Sequence, residues 1–341
     1  MKMTLTLVAL IVGASVLSSA GQQNPFLGRW NMTGLAPDTT YVYWLEIKQE
    51  GAGLTGLFLN RGGHATPLAT VKIENGELVF QGFAGGRAGA PPAPGGPVYR
   101  ARFEGGKLIG SHQLPVGGGR GRANDPNAPP PPPPTMRTVN WIGQRPPAWP
   151  EANASGRHTF GKPVALFDGK TLDGWTGQGM PAAKGWSVEE GVAVNSEGAT
   201  NLVSTAKFSD FKLEVEYKLE PKSNSGIYLR GRYELQVLDD INDTTTAPFQ
   251  TQMAIYGRTP PRVKASKPAG EWQAMEAVIV KNRVTVTLNG QRVHDNAVIE
   301  GITGGALDAD ELAPGPILIQ GDHGRVWVRK VLVTPITTAG R

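Results

Sequence analysis

Short runs of alternating apolar and polar residues, separated by glycine- and proline-rich turns, extend along almost the whole chain. In "FKLEVEYKL", residues 211–219, the odd positions are apolar and the even positions are charged. This period of two is typical of a β-strand with one buried and one wet face. No segment shows the 3.6-residue periodicity of a ten-residue helix, and 45 glycines and 28 prolines interrupt the chain. We therefore predict an all-β protein.

The first 20 residues have the pattern of a secretory signal peptide. Lys2 precedes an apolar run over 5–17, and the small residues Ser18 and Ala20 suit a cleavage site. The run is shorter than the roughly 20 apolar residues that cross a bilayer. We expect an exported protein, periplasmic or extracellular, with no membrane span. The chain has no cysteine, so disulfides cannot stabilise it.

The net charge is +5, from 34 Lys and Arg against 29 Asp and Glu. The basic residues are scattered among apolar neighbours, whereas a nucleic-acid protein gathers them in one stripe. We expect no nucleic-acid partner.

Residues 24–144 are predicted to form a small antiparallel barrel-like domain. Its eight predicted strands lie at about 28–35, 40–49, 53–60, 67–74, 77–83, 98–104, 107–113 and 135–142. Tight turns alternate with long connections, so an up-and-down meander would place the tight turns at one end and the long loops at the other. The low-complexity segments 84–97 and 115–134 are interpreted as loops of this domain, because a further strand follows the second one.

The role of this barrel is open between a binding cup and a passive appendage. Gly28, Trp30 and Arg137 resemble the Gly-x-Trp and late Arg of calycin-type barrels. The histidines of this half and of the following linker show no constellation: His64, His112 and His158. Without a polar cluster, the passive interpretation is favoured.

A linker is predicted at 145–163, which is rich in Pro, Gly and small polar residues. The second domain then spans 164–336 and consists of short strands, including a hairpin at Asn289-Gly290. Many antiparallel strands without a helical pattern indicate a β-sandwich.

The stretch "SNSGIYLRGRYELQVLDD", residues 223–240, sets polar side chains between apolar ones on two neighbouring strands. Alternation places Asn224, Tyr228 and Arg230 on one face of the first strand. A three-residue loop at 231–233 would pair Arg230 with Glu234, whereas a two-residue turn would send Glu234 to the core face. We predict the odd-length connection. The competing interpretation is a surface salt bridge.

A second candidate lies in "IQGDHGRVWVR", residues 319–329. His323 follows Asp322 between two predicted strands. A carboxylate beside a histidine raises its basicity, and a pKa near 6.5 suits proton transfer at neutral pH. A polar loop histidine without a catalytic role is the alternative.

No cofactor is indicated with certainty. The chain lacks a Gly-x-Ser-x-Gly elbow, a phosphate loop, a Rossmann fingerprint and a His-Glu-x-x-His pair. A divalent cation such as Ca²⁺ stays open, because several carboxylates offer oxygen ligands without a diagnostic spacing: Asp168, Asp173, Asp239, Asp240 and Asp243.

Several segments in order resemble the 3-keto-disaccharide hydrolase family, also described as 3-keto-glucoside 1,2-lyases and 3-keto-2-hydroxy-glucal hydratases. They cover essentially all of 164–336: "LFDGKTLDGW", "WSVEEGVAV", "LVSTAKFSDFKLEVEYKL", "NSGIYLR", "YELQVLD", "TLNGQRV" and "LIQGDHGRVWVRKVLV". The resemblance implies a concanavalin A-like two-sheet jelly-roll sandwich. It also implies a small-molecule sugar partner, a 3-keto-glycoside, cleaved by removal of the C2 proton and elimination at C1, with hydration giving net hydrolysis.

The resemblance carries over to individual residues. The Asn-Ser-Gly, Arg, Glu-x-Gln and Gln-x-His-Gly positions of the family fall on 224–226, Arg230, Glu234 with Gln236, and Gln320 with His323. Two residues stand between Gln320 and His323 here, where the family commonly has one.

These matches give a hypothesis for the roles. His323 is the base, Arg230 stabilises the enolate or ketone, and Glu234 orients Arg230 or is the acid. We expect five residues to bind substrate: Asn224, Tyr228, Gln236, Asp239 and Gln320. A sugar-stacking role for Trp175 or Trp186 competes with burial in the core. The alternative for the whole protein is a non-catalytic carbohydrate-binding module.

Overall fold

The computed structural model describes residues 24–83, 94–116 and 135–337, and these are arranged as β-strands in three sheets. The predicted signal peptide, 1–20, and most of the two low-complexity segments lie outside the described residues. The all-β prediction is confirmed. One short helix, a 3₁₀ turn at Pro248–Gln250, occurs among the described residues, and no helix in them is long and apolar enough to cross a membrane.

The N-terminal strands form one antiparallel meander. They are β1 (Gly28–Gly34), β2 (Val42–Glu50), β3 (Gly53–Asn60), β4 (Thr66–Pro67), β5 (Thr70–Glu74), β6 (Glu77–Phe83), β7 (Pro94–Glu104), β8 (Lys107–Val116) and β9 (Thr135–Gln144). Their order in the sheet is β4-β3-β2-β1-β9-β8-β7-β6-β5. The tight turns therefore share one end, and the β1–β2 and β3–β4 loops share the other.

Nine strands stand where eight were predicted, because the segment expected as one strand over 67–74 is interrupted. The amide of Leu68 donates to Gly56 O of β3 (2.9 Å), and the amide of Ala69 donates to Gln81 O of β6 (2.9 Å). The short link between β4 and β5 thus bridges the two edges of the sheet and curls it into a barrel.

Aromatic side chains fill this barrel, with Trp30, Phe80 and Tyr99 buried among them. The guanidinium that lies over Trp30 belongs to Arg145, at 3.5 Å from the ring centroid. Arg137, the residue singled out by the calycin-like pattern, instead forms a two-pronged ion pair with Asp38 at 2.7 Å.

The C-terminal strands form two sheets packed face to face. The larger sheet has the order β12-β13-β22-β15-β18-β19-β20, with β10 beside β22. Its strands are β10 (Val164–Ala165), β12 (Trp186–Glu189), β13 (Val192–Asn195), β15 (Phe211–Leu219), β18 (Gln273–Val280), β19 (Arg283–Leu288), β20 (Gln291–Val298) and β22 (Val326–Pro335). This sheet confirms the alternation of 211–219, whose odd positions are buried.

The smaller sheet has the order β11-β14-β21-β16-β17. Its strands are β11 (Trp175–Gly177), β14 (Leu202–Phe208), β21 (Gly315–Ile319), β16 (Asn224–Leu229) and β17 (Tyr233–Leu238). The two sheets give the predicted jelly-roll sandwich, with the apolar faces of both turned inward.

Both tryptophans considered for sugar stacking lie in the sandwich core. Trp175 donates from its indole to Leu166 O (2.6 Å), and Trp186 donates to Thr200 O (2.6 Å). The same apolar cluster also includes three residues of the N-terminal sheet, Val42, Trp44 and Leu59. The barrel and the sandwich therefore share buried apolar surface.

Candidate active site

The hairpin of β16 and β17 has an odd-length connection, as predicted. Tyr228 pairs directly with Glu234, and Gly226 pairs with Gln236. The polar residues of both strands consequently share one face of the smaller sheet, while Ile227 and its apolar neighbours face the core.

The loop lies one residue earlier than expected, and the predicted adjacency of Arg230 and Glu234 is wrong. The three connecting residues are 230–232, because Leu229 pairs with Tyr233. Arg230 has a left-handed φ of 54°, which takes it out of the ladder. Its side chain is only 3% exposed and binds Asp210 at 2.8 Å and two backbone carbonyls. These contacts are structural, and Arg230 does not line the pocket described next.

A pocket of about 310 Å³ opens over the polar face of the hairpin. This volume is in the range of about 300–1,000 Å³ that small-molecule sites occupy. Its lining includes the residues predicted as the site from sequence, namely Asn224, Tyr228, Glu234, Gln236, Gln320 and His323, together with Asp322, the carboxylate noted beside His323. The other lining residues were not predicted: Gly62, Gly63, Gln178, Asn201, Tyr256, Gly304, Gly305 and Leu318.

Glu234 is the buried carboxyl of this pocket, with 4% of the residue exposed. Burial raises the pKa of Glu234 to about 8; the hydrogen bond with Tyr228 opposes this rise and the charge of Asp322 adds to it. A carboxyl in this state holds its proton at neutral pH and can act as a general acid.

The hydroxyl of Tyr228 gives an independent reason for a proton on Glu234. It lies 2.9 Å from Glu234 Oε2, 2.8 Å from Gly304 O and 3.0 Å from Gln320 Nε2. A hydroxyl has one proton to donate, and a backbone carbonyl can only accept. If Tyr228 donates to Gly304 O, the contact with Glu234 is satisfied when the carboxylic acid donates to Tyr228. All four groups are then paired.

Gly226 leaves the space that the Glu234 carboxyl occupies. A Cβ at position 226 would lie 2.6 Å from Glu234 Oε1 and 3.0 Å from Gln320 Oε1. Glycine is therefore needed here for the close approach of these two side chains.

His323 lies at the rim of the pocket, with 49% of its side chain exposed, and its Nδ1 is 2.6 Å from Asp322 Oδ1. When the neutral ring donates from Nδ1 to this carboxylate, Nε2 is left as the proton acceptor. The backbone just before this Asp-His pair is held at Gly321, whose N donates to Asn201 Oδ1 (2.9 Å) and whose O accepts from Asn195 Nδ2 (2.8 Å).

The predicted substrate-binding residues divide between the pocket and its surroundings. Asn224, Tyr228, Gln236 and Gln320 line the pocket. The buried Oδ1 of Asn224 has no hydrogen-bond partner in the described part of the chain. Asp239 is outside the lining, and its carboxylate accepts from Lys222 N (2.9 Å), so its contact with substrate stays a prediction.

The sequence interpretation missed residues that come from other loops. Tyr256 accepts a hydrogen bond from Gln250 Nε2 (3.1 Å), and the same amide nitrogen is 3.2 Å from His64 Nδ1. His64, which showed no constellation in sequence, thus lies beside the candidate site. The only local signal was the glycine-rich "GITGG" at 301–305, one of many such stretches in this chain.

The aspartates considered for Ca²⁺ do not form a shared site. Asp168 accepts from Lys170 N (2.7 Å), Asp243 from Thr245 N (2.7 Å), and Asp240 from Gln252 N (2.9 Å). Within the described ranges no group of three or more His, Cys, Asp or Glu side chains is placed to hold a metal ion. A requirement for Ca²⁺ therefore stays a prediction that these contacts do not support.

The sequence of the sandwich matches a known family. Residues 162–334, just over half of the chain, match the family described as 3-keto-alpha-glucoside-1,2-lyase-like domain. The chain belongs to this family. The resemblance drawn from the sequence motifs is confirmed.

The chain is also similar to individual proteins. A 3-keto-disaccharide hydrolase of Bacteroides thetaiotaomicron is 27% identical, over 38% of this chain and 57% of that protein, so the chain spans little more than half of this relative. Two solved structures of glycosyl hydrolases from Parabacteroides distasonis are 28% and 22% identical. They cover 50% and 51% of this chain and 82% and 94% of their own, with TM-scores of 0.45 and 0.43.

Proposed function

We propose that the protein is an exported carbohydrate-active enzyme that cleaves 3-keto-glycosides, including 3-keto-disaccharides. The observation that carries the proposal is a buried carboxyl with a pKa near 8, Glu234, which shares one pocket with the Asp322-paired His323. A protonated carboxyl and a histidine with a free ring nitrogen in one pocket suit proton abstraction next to a carbonyl. Family membership supports the substrate class.

His323 is the base in this mechanism. A ketone at C3 acidifies the C2 hydrogen, and Nε2 of His323 takes this proton while the C2–H electron pair forms the enolate. Asp322 holds Nδ1–H and stabilises the imidazolium that results. This step uses the half-exposed position of His323, which leaves Nε2 free to meet a substrate entering from the rim.

Glu234 is the acid. As the enolate reforms the C3 ketone, its electron pair forms the C1=C2 double bond and the C1–O bond breaks. The departing oxygen takes the proton of Glu234, and Tyr228 keeps the carboxyl in place. Addition of water across C1=C2 completes a net hydrolysis and returns both residues to their starting protonation states.

The remaining polar groups bind the sugar. Asn224 and Gln236 present amides to the pocket, and Gln320 lies beside Tyr228. The unpaired Oδ1 of Asn224 suits a sugar hydroxyl, because a buried acceptor without a donor is costly until a ligand provides one.

Release of the aglycone from a 3-keto-glucoside tests the proposal. We expect Glu234→Gln and His323→Gln each to lower kcat/KM by about 10²–10⁴-fold, the usual contribution of a general acid or base. His158→Gln repeats the histidine substitution outside the pocket and serves as the control.

Two results would contradict the proposal. Unchanged release in both pocket variants would remove these residues from the mechanism. Binding of 3-keto sugars without release from any of them would favour a carbohydrate-binding module.

A further inference from the structure

The β3–β4 loop of the barrel, residues 61–65, forms part of the pocket wall. Gly62 and Gly63 line the pocket together with Glu234 and His323 of the sandwich. The loop is held there by a hydrogen bond from Gly305 N to Arg61 O (2.7 Å). The barrel is therefore in direct contact with the candidate active site.

The sandwich is shaped to receive this loop. A Cβ at Gly304 would overlap the backbone of Gly63, and a Cβ at Gly257 would overlap the side chain of His64. His64 also packs against Phe249, with ring centroids 5.3 Å apart. Close approach of two backbones requires glycine at such positions. The docking is thus specific to this loop and not a loose contact of two surfaces.

Buried contacts next to the loop fix the same arrangement. Trp44 of β2 lies in the core cluster of the sandwich, and the Arg258 guanidinium is 4.0 Å from its ring centroid. The same guanidinium donates to Ile302 O (2.7 Å), and Trp44 is 1% exposed, so the contact holds the barrel and the sandwich together. A loop fixed by such a junction can serve as a permanent wall.

A second cavity, of about 490 Å³, lies on the barrel side of the same loop. Gly62 and Gly63 line both cavities, so the two spaces adjoin at this loop. The second cavity differs in chemistry from the first, because the half-buried rings of Phe83 and Pro97 line it, above Phe58 and Tyr99 of the barrel core. Apolar ring faces are typical of sites that hold another ring.

We propose that the barrel supplies a second subsite, entered over Gly62 and Gly63, that receives the aglycone of the substrate as a ring with an apolar face. The ring is an aromatic group or the apolar face of a second sugar. This inference rests on the proposed function for the identity of the substrate. It assigns to the barrel a role in substrate selection, where the sequence favoured a passive appendage.

A third cavity also borders Asp322 and His323 and offers the competing route for the aglycone. It is about 450 Å³ in volume, and its lining is dominated by charged side chains, including Glu197, Glu220 and Arg325. An apolar ring face would leave these charges without partners. The barrel side is the better match for an apolar ring.

The test introduces one tryptophan into each of the two candidate routes for the aglycone, the barrel side and the charged cavity. Gly62→Trp is suitable because a Cβ at Gly62 meets no atom within 4 Å and its φ is not left-handed. Glu197→Trp obstructs the charged cavity, and Gly53→Trp places the same side chain at the far end of β3. Gly62→Leu repeats the obstruction with a smaller group if the tryptophan variant folds poorly. The substrates are methyl and phenyl 3-keto-glucosides and a 3-keto-disaccharide.

We expect Gly62→Trp to lower kcat/KM for the phenyl glycoside, the disaccharide or both by at least about tenfold more than for the methyl glycoside. Which of the two is affected identifies the kind of ring. Gly53→Trp should leave all three rates within about twofold. Equal losses on all three substrates in Gly62→Trp, or a selective loss in Glu197→Trp alone, would overturn the inference while leaving the proposed function intact.

Absence of turnover in the wild-type protein would instead reject the proposed function. The subsite is then decided by calorimetric binding of phenyl and methyl glucosides to the same proteins. The subsite is supported if the wild-type protein binds phenyl glucoside more tightly than methyl glucoside and Gly62→Trp abolishes this difference. Equal affinities of the wild-type protein for the two glucosides overturn it.

Discussion

Replacing Glu234 by glutamine should change how the stability of the protein depends on pH. Glutamine has nearly the same shape as a protonated glutamate and cannot ionise. In the wild-type protein, burial raises the pKa of this carboxyl from 4.5 to about 8, so the folded protein keeps a proton that the unfolded chain has released. Stability therefore falls as pH rises through this interval.

The magnitude follows from these two pKa values. Each pH unit between them costs about 1.4 kcal/mol of unfolding free energy, and the loss levels off near the folded pKa. From pH 5 to pH 8 the wild-type protein should lose about 3.5 kcal/mol through this residue alone. Glu234→Gln lacks this loss, so its stability relative to wild type should rise by the same amount over the same range.

Denaturant unfolding of both proteins at intervals between pH 5 and pH 8 measures this difference. Glu50→Gln makes the same change of charge at an exposed position and controls for long-range electrostatic effects. A difference between the Glu234→Gln and wild-type unfolding free energies that stays constant with pH would refute the assignment of a neutral buried carboxyl. It would also remove the acid from the proposed mechanism.

Three further outcomes follow from the same geometry. Since the acid must carry its proton, kcat/KM on a 3-keto-glucoside should fall as pH rises through about 8, and a profile flat to pH 9 would contradict this. Gly226→Ala puts a methyl group 2.6 Å from Glu234 Oε1, so it should lower kcat/KM at least about tenfold and reduce the free energy of unfolding by about 1–3 kcal/mol. Gly53→Ala is the control, because its methyl group would lie 3.7 Å from the nearest atom, and it should change neither kcat/KM nor stability in the same assays. Arg230→Met should cost about 1–3 kcal/mol in denaturant unfolding, because it removes the 2.8 Å partner of the buried Asp210 carboxylate and leaves it only the more exposed Lys281 ammonium at 3.6 Å. The kcat of the folded protein should stay within about twofold, and a selective loss of kcat would return Arg230 to the mechanism.

The faces of the hairpin were predictable from sequence, but the position of its loop was not. A loop at 231–233 and one at 230–232 are both three residues long, and both put Tyr228 and Glu234 on the same face. What separates them is the environment of Arg230, which binds Ser209 O and Lys281 O from distant loops. Alternation within two strands contains no information about partners 21 and 51 residues away.

The strands of the barrel were also largely predictable, because alternation and Gly-containing turns are local signals. The interruption at Leu68 and Ala69 was not, since their amides bond to different neighbouring strands and close the barrel. Closure depends on which edges meet in space. Likewise, the glycines that receive the barrel loop look in sequence like any others among the 45 in the chain.

The segment 301–305 connects the barrel loop to the chemistry of the site. Gly304 packs against the backbone of Gly63, and its carbonyl accepts from the Tyr228 hydroxyl, which in turn contacts Glu234. A shift of this loop would move Gly304 O, and Tyr228 would then be free to donate to Glu234 instead. That exchange stabilises the ionised carboxylate and lowers the pKa of Glu234. If Tyr228 donates to Gly304 O, the docking of the barrel therefore does more than shape the pocket, because it also helps to keep the proton that the proposed elimination requires.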